Sequence, residues 1–425
     1  MNEPNEKKNG SSALKKYVLL LLRIGIAAAG VGYIVFTLTW QDQVIIAKGT
    51  PVPDGRLLVE DTAFDVIKGK IYLAKESTDV TLRISEKNGD AITMEVTAAE
   101  LARRETFRPS PGVISMITGA KISYLAIGFA LIAIGFPVQV FRWGTLMKAR
   151  GLEAPPWKTF RLIMVGAFFN LCMPGLTGGD VIKAYYAAAR SGRRADAVVS
   201  VIVDRIVGLV ALIILAGTAG LVMFHDDVAR GVTLVIWSGL GFGAIGCLVY
   251  FSQRLRKYTG LSWILDHLPA KGLLKKVDDA AIAYRNHKAA LLTALVVTFP
   301  IHIAAVSATA LAGYALGMKV QYGLLMTVVP VLILGGAVPL TYQGLGVMEW
   351  IGERMLVNPP EVHFNQIVGM LLFFRLYQIG YALLGSLFLL KGDIHLHPEM
   401  DDEPETPEAP DDTPAQSDES VEAND

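Results

Sequence analysis

Charge is scarce in this chain. Asp, Glu, Lys and Arg make up 18% of its 425 residues, while 52% are hydrophobic. That balance excludes an ordinary soluble globular protein. Cysteine is almost missing. Cys172 and Cys247 both fall in apolar segments, so a disulfide has no support and both read as small buried hydrophobes. Seven scattered histidines give no metal-ligand spacing. The phosphate-cradling Gly-rich loop, the dinucleotide fingerprint, the zinc motifs and the nucleophile elbow are all missing. No cofactor, metal, catalytic residue or nucleic-acid partner is therefore expected.

Long apolar runs fill the space that charge leaves. Six windows exceed the roughly 18 residues that mark a membrane helix: about 17–39, 120–142, 197–224, 231–252, 289–316 and 364–390. The first follows Lys7, Lys8, Lys15 and Lys16. It is longer than the ~7–15-residue core of a signal peptide and reads as an uncleaved anchor. Two more apolar segments are broken. One runs over 160–172, meets Met-Pro-Gly-Leu-Thr-Gly-Gly-Asp at 173–180, and resumes as a short helix. The other runs over 324–338, meets Pro-Leu-Thr-Tyr-Gln-Gly-Leu-Gly at 339–346, and resumes with Glu349. Each reads as two half-length helices joined by a Pro/Gly hinge and followed by a carboxylate. Interrupted segments in corresponding positions of two halves point to a transport site at the bilayer midplane.

Basic residues orient this arrangement. The N-terminal lysines and the basic loops 142–161, 183–194 and 254–288 read as cytoplasmic, whereas the loops near 225–230 and 317–321 hold one cation each, Arg230 and Lys319. Both termini then lie inside. The first broken segment dips from the cytoplasm and the second from outside, as an inverted repeat requires.

Between the first two spans, 41–115 reads as a β-rich extracytoplasmic insert. Its strand-like runs are 44–46, 56–60, 70–74, 80–85 and 91–96, with an Asn88-Gly-Asp turn and a helical exit near 98–104. Within 254–288, residues 261–286 have the apolar spacing of amphipathic helices on the inner surface, or of a packed connector. The acidic, Pro-rich stretch from about 393 reads as a disordered cytoplasmic tail.

Three motifs carry a resemblance. They are Gly166-Ala-Phe-Phe-Asn170 with Pro174-Gly and Gly178-Gly-Asp-x2-Lys183, then Val203-Asp-Arg-Ile-Val-Gly-Leu209, then Gly344-Leu-Gly-Val-Met-Glu349. In this order they resemble the transmembrane region of lysylphosphatidylglycerol synthases, the flippase-like half of the multiple peptide resistance factor. The resemblance covers roughly 120–390. The fold expected from the runs and charges above is an all-α polytopic membrane protein of six full spans and two inverted re-entrant hairpins with a small β-rich extracytoplasmic insert, and the resemblance implies the inner (cytoplasmic) membrane of a prokaryote. Only 35 residues follow Leu390, so an aminoacyltransferase domain, and with it enzymatic activity, is not expected. The outer insert is a departure from the family. So is Gln343, which stands where family members often have glycine.

The domains expected are 1–40 as N-terminus and first helix, 41–115 as the insert, 116–392 as the flippase-like body and 393–425 as the tail. Ionisable groups at membrane depth cost about 2.5–3.5 kcal/mol each on insertion scales, so they face partners or a wet cavity. The candidates are Asp180, Asp204, Arg205, Glu349, Arg354 and Arg375, with His302 beside Pro300. Asp180 reads either as an N-cap or as part of an anion site. Glu349 reads as a cation or proton site, or as the partner of Arg205 or Arg375. Asp204 and Arg205 are consecutive and point about 100° apart, so at least one of them needs a partner on another helix. His302 reads as an interhelical hydrogen-bonding group. The candidate substrate site comprises Asn170, Pro174, Gly178, Gly179, Asp180, Asp204, Arg205, Gly344, Gly346, Glu349 and Arg375.

The leading functional expectation is a flippase-like transporter of a phospholipid, a lipid-linked substrate or another amphipathic molecule. A membrane glycosyltransferase using Glu60 and Asp61 is one alternative. A structural or regulatory protein is another. A homo-oligomer and an outer partner for the insert both stay open.

Overall fold

The computed structural model describes residues 31–52, 57–60, 62–68, 81–86, 94–97, 106–172, 178–191, 193–251, 286–338, 341–357 and 361–390, together with positions 25, 29 and 284. Several expectations lie outside these residues. They are most of the first span, the 70–74 run, the Asn88 turn, the 98–104 helix, the Pro174 hinge, nearly all of 261–286 and the tail.

The insert is a five-stranded antiparallel sheet. Its strands are β1 (Gln43–Ile46), β2 (Thr62–Lys68), β3 (Thr81–Glu86), β4 (Met94–Thr97) and β5 (Phe107–Ser110), in the order β4-β3-β2-β1-β5. Val44 pairs with Phe64 and Ile46 with Phe107. With Val52, Ile84 and Val96 they bury one small core. The expected strand at 56–60 is corrected: Leu57 makes only an isolated bridge to Pro51, and the run continues as bends. Strand β2 follows it instead. Strand β5 contains Pro109, which is tolerated because β5 is an edge strand.

The body is helical: α1 (Val113–Thr118), α2 (Ile122–Ala149), α3 (Pro156–Cys172), α4 (Gly178–Ser191), α5 (Arg194–Val222), α6 (Asp227–Phe251), α7 (Lys288–Ala315), α8 (Tyr322–Ala337), α9 (Val347–Leu356) and α10 (Phe364–Leu390). Four of them, α2, α5, α7 and α10, are long and apolar enough to cross a membrane. The expected 231–252 segment is present as α6. At about 1.5 Å per residue, α3 and α8 are near 25 Å long, α4 near 21 Å and α9 near 15 Å. None of the four alone matches a hydrocarbon core of about 30 Å.

The packing repeats. Helices α2-α3-α4-α5 and α7-α8-α9-α10 follow one plan: a long helix with an internal proline (Pro137, Pro300), a broken pair, then a second long helix. Helices α2 and α7 pack along each other. Each broken pair then leans on the other half, because α3 packs on α10 and α8 packs on α5. The α3–α10 approach is close: a Cβ on Gly385 would lie 2.1 Å from the Met164 carbonyl oxygen. Each half keeps its own apolar cluster, one around Trp143, Ile163 and Tyr186, the other around Val306, Leu332 and Met370.

The sheet is fastened to this body at the start of α10. Asn365 donates through Nδ2 to the Thr39 and Pro111 carbonyls, and its Oδ1 accepts from the Thr39 N–H. These are the chain segments entering and leaving the insert. Asp42 accepts from the Gly112 N–H at 2.7 Å and the Ser115 hydroxyl at 2.8 Å. Tyr33, in the helical stretch 31–37 ahead of the insert, donates to Glu353 of α9 and stacks edge-on against Phe364.

Candidate functional site

Both breaks place a carboxylate in the first turn of the short helix that follows. In the first half this is Asp180 on α4, which meets Arg205 of α5. Arg205 Nε lies 2.5 Å from Oδ2, and Nη2 donates to Oδ1 at 2.9 Å. In the second half it is Glu349 on α9, which meets Arg375 of α10, with Nη1 donating to Oε1 at 2.6 Å. The partners are 25 and 26 positions apart in sequence. The two acids occupy equivalent positions in the repeat, and so do the two arginines.

The pairs differ in surroundings. The Arg205 side chain is 46% exposed, whereas Arg375 and Glu349 are 8% and 1% exposed. Glu349 also caps α9, its Oε2 accepting from the Gly346 N–H at 2.8 Å. Asp180 likewise lies in the first turn of α4, and its carboxylate faces Arg205. Lys183, one turn along α4, sits 3.8 Å from Asp180 Oδ1 and over the Trp143 ring.

Asp204 turns away from its neighbour Arg205. Its carboxylate takes Arg142 of α2, with Nη2 donating to Oδ2 and Nε beside Oδ1, both at 2.8 Å. Arg142 was expected at the edge of a cytoplasmic loop. That placement is corrected: α2 continues to Ala149, and the Arg142 side chain is 6% exposed. Arg142, Lys183 and Arg205 thus stand against Asp180 and Asp204, one positive charge in excess among these five.

Close packing marks the start of α4, and unusual backbone marks the second break. Gly179 donates its N–H to Asn170 Oδ1 at 2.8 Å, and a Cβ there would fall 1.9 Å from the Gly166 carbonyl oxygen. At the second break Gln343, Gly344 and Gly346 all have positive φ, 49°, 69° and 83°. Gly344 and Gly346 adopt this freely. Gln343 does so at a cost, in the position where the resembled family often has glycine. The two breaks touch: the Tyr342 hydroxyl donates to the Leu171 carbonyl at the end of α3.

Other candidates fall outside this arrangement. His302 Nε2 lies 2.9 Å from the Gly208 carbonyl, the interhelical bond expected of it. Arg354 is exposed and sits over Trp350. Cys172, expected buried, is exposed at the end of α3. Glu60 is exposed in a bend of the insert. Sequence reasoning missed Arg142, Lys183 and Tyr342. The Lys183 signal was present in the motif itself, three residues after Asp180.

The family model described as lysylphosphatidylglycerol synthase TM region covers residues 112–385. No curated protein matches the chain.

Proposed function

The chain belongs to the lysylphosphatidylglycerol synthase transmembrane-region family, and on that premise we propose that it is a flippase-like transporter of a lipid or another amphipathic substrate. The observation that carries this reading is the junction of the two breaks. Tyr342 joins the end of α3, and each break carries an acid–arginine pair at equivalent positions. Half-helix ends, free backbone groups and charges at the interface of two repeats are what a transporter uses to take a polar headgroup.

In this reading α3–α4 and α8–α9 are re-entrant hairpins entering from opposite faces. The first helix and α6 complete six crossings, both termini are cytoplasmic and the sheet lies outside. The headgroup contacts Asn170, Gly178, Gly179, Asp180 and Arg205 at the first break and Gly344 and Gly346 at the second. The excess positive charge beside α4 and the half-exposed guanidinium of Arg205 suit an anionic group, which arginine grips with two parallel donors. Asp204, Glu349 and Arg375 hold the walls.

The test is headgroup translocation of fluorescent phospholipid in liposomes containing the purified protein. Arg205→Lys should slow translocation several-fold while the protein melts normally. Translocation at the wild-type rate by Arg205→Lys, or a rate in wild-type vesicles no faster than in empty ones, overturns the reading.

A further inference from the structure

A cavity of about 580 Å³ opens between the second half of α2 and the start of α3. Helix α2 contributes Val140, Phe141 and Gly144, while the turn before α3 and its first residues contribute Ala154, Trp157 and Phe160. The volume falls within the roughly 300–1,000 Å³ of ligand pockets. Its chemistry does not fit a water-soluble ligand, because the walls are almost wholly apolar and Lys148 is the one charged side chain along them.

Three features identify the occupant. First, the groove runs along a helix long and apolar enough to cross a membrane, and its rim residues Phe141 and Trp157 are 56% and 61% exposed. An acyl chain fills such a trough without needing a polar partner. Second, Lys148 stands in the last turn of α2, one end of the groove, where a phosphate completes its charge. Third, Trp157 lies near that end, one residue before the exposed Lys158. Indole beside lysine is the pairing found at the headgroup level of a bilayer.

We propose that this groove holds one acyl chain of a resident anionic phospholipid, with its phosphate at Lys148. This lipid is distinct from transported cargo, since none of Asp180, Arg205, Glu349 or Arg375 lines the groove. It acts as a buttress. The α2 segment that forms the wall also carries Arg142, paired with Asp204, and Trp143, which lies under Lys183. A chain seated between α2 and α3 fixes the spacing of those groups from behind.

The experiment is native mass spectrometry of the full-length protein in mild detergent, with phosphatidylglycerol or phosphatidylcholine added. Wild type should retain one phosphatidylglycerol through delipidation that strips phosphatidylcholine. A Cβ added at Gly144 meets nothing within 4 Å, so Gly144→Phe should occupy the groove, lose that lipid and melt like wild type. Lys148→Gln, at an exposed side chain, should reduce the preference for phosphatidylglycerol about fivefold. Equal retention of both lipids by wild type, an unchanged lipid count in Gly144→Phe, or an unchanged preference in Lys148→Gln overturns the assignment. If Gly144→Phe melts early, the Lys148→Gln preference decides. Lipid counting needs no transport, so its failure is distinct from failure of the transporter reading.

Discussion

Glu349→Gln and Arg375→Gln, made singly and together, should separate a structural ion pair from an exchangeable one. Both side chains are more than nine-tenths buried, with 2.6 Å between Arg375 Nη1 and Glu349 Oε1. Removing one partner strands the other charge where water cannot reach it, a loss of about 3–5 kcal/mol. At position 349 the glutamine amide oxygen can still accept from the Gly346 N–H, so the cap survives and the loss reports charge alone. Neutralising both groups removes the stranded charge. The double variant should therefore be less destabilised than the two single losses combined, by about 2 kcal/mol or more. Asp180→Asn should also destabilise, because it leaves the buried Lys183, 3.8 Å away, and Arg205 without their shared carboxylate. The assay is thermal or chemical denaturation of detergent-purified protein, followed by fluorescence. A Glu349→Gln protein as stable as wild type, or a double variant whose loss equals the combined single losses, refutes the argument.

Gly179→Ala should destabilise by about 1–3 kcal/mol through overpacking, because its methyl falls 1.9 Å from the Gly166 oxygen; an unchanged melting curve would contradict the close approach. Gln343→Gly should raise the melting temperature slightly, since glycine adopts φ 49° without the strain of a side chain; a lower melting temperature would count against that strain. Maleimide should label Cys172 in the native protein, and Tyr342→Phe should alter the labelling rate by freeing the end of α3; no labelling before unfolding would place Cys172 in the interior.

Local pattern made much of this body readable. Helix positions followed from runs of apolar residues, and both breaks followed from Pro and Gly clustered between them. His302 beside Pro300 was read correctly because a buried imidazole needs a nearby acceptor, and Gly208 supplies one. Long-range pairing was less readable. Arg142 begins a basic stretch that looks like a loop, and only folding brings it to Asp204, 62 positions away. Among the alternatives left open for Glu349, sequence could not choose between Arg205 and Arg375. That choice depends on which long helix each short helix meets, a property of the packing between α9 and α10. Strand β5 was hidden by Pro109, whose meaning depends on whether the strand is central or at an edge.

The crossed packing of the halves has a consequence for synthesis. Helix α3 rests on α10, and α5 rests on α8. When the ribosome has delivered α3, the helix that will cover it is still untranslated and emerges only after α4 through α9. During that interval Met164 lacks Gly385, its close neighbour in the finished fold. Either lipid or an insertion chaperone must shelter that face, and the first half cannot mature ahead of the second. Truncation before α10 should therefore leave α3 open to proteolysis even though its own sequence is intact.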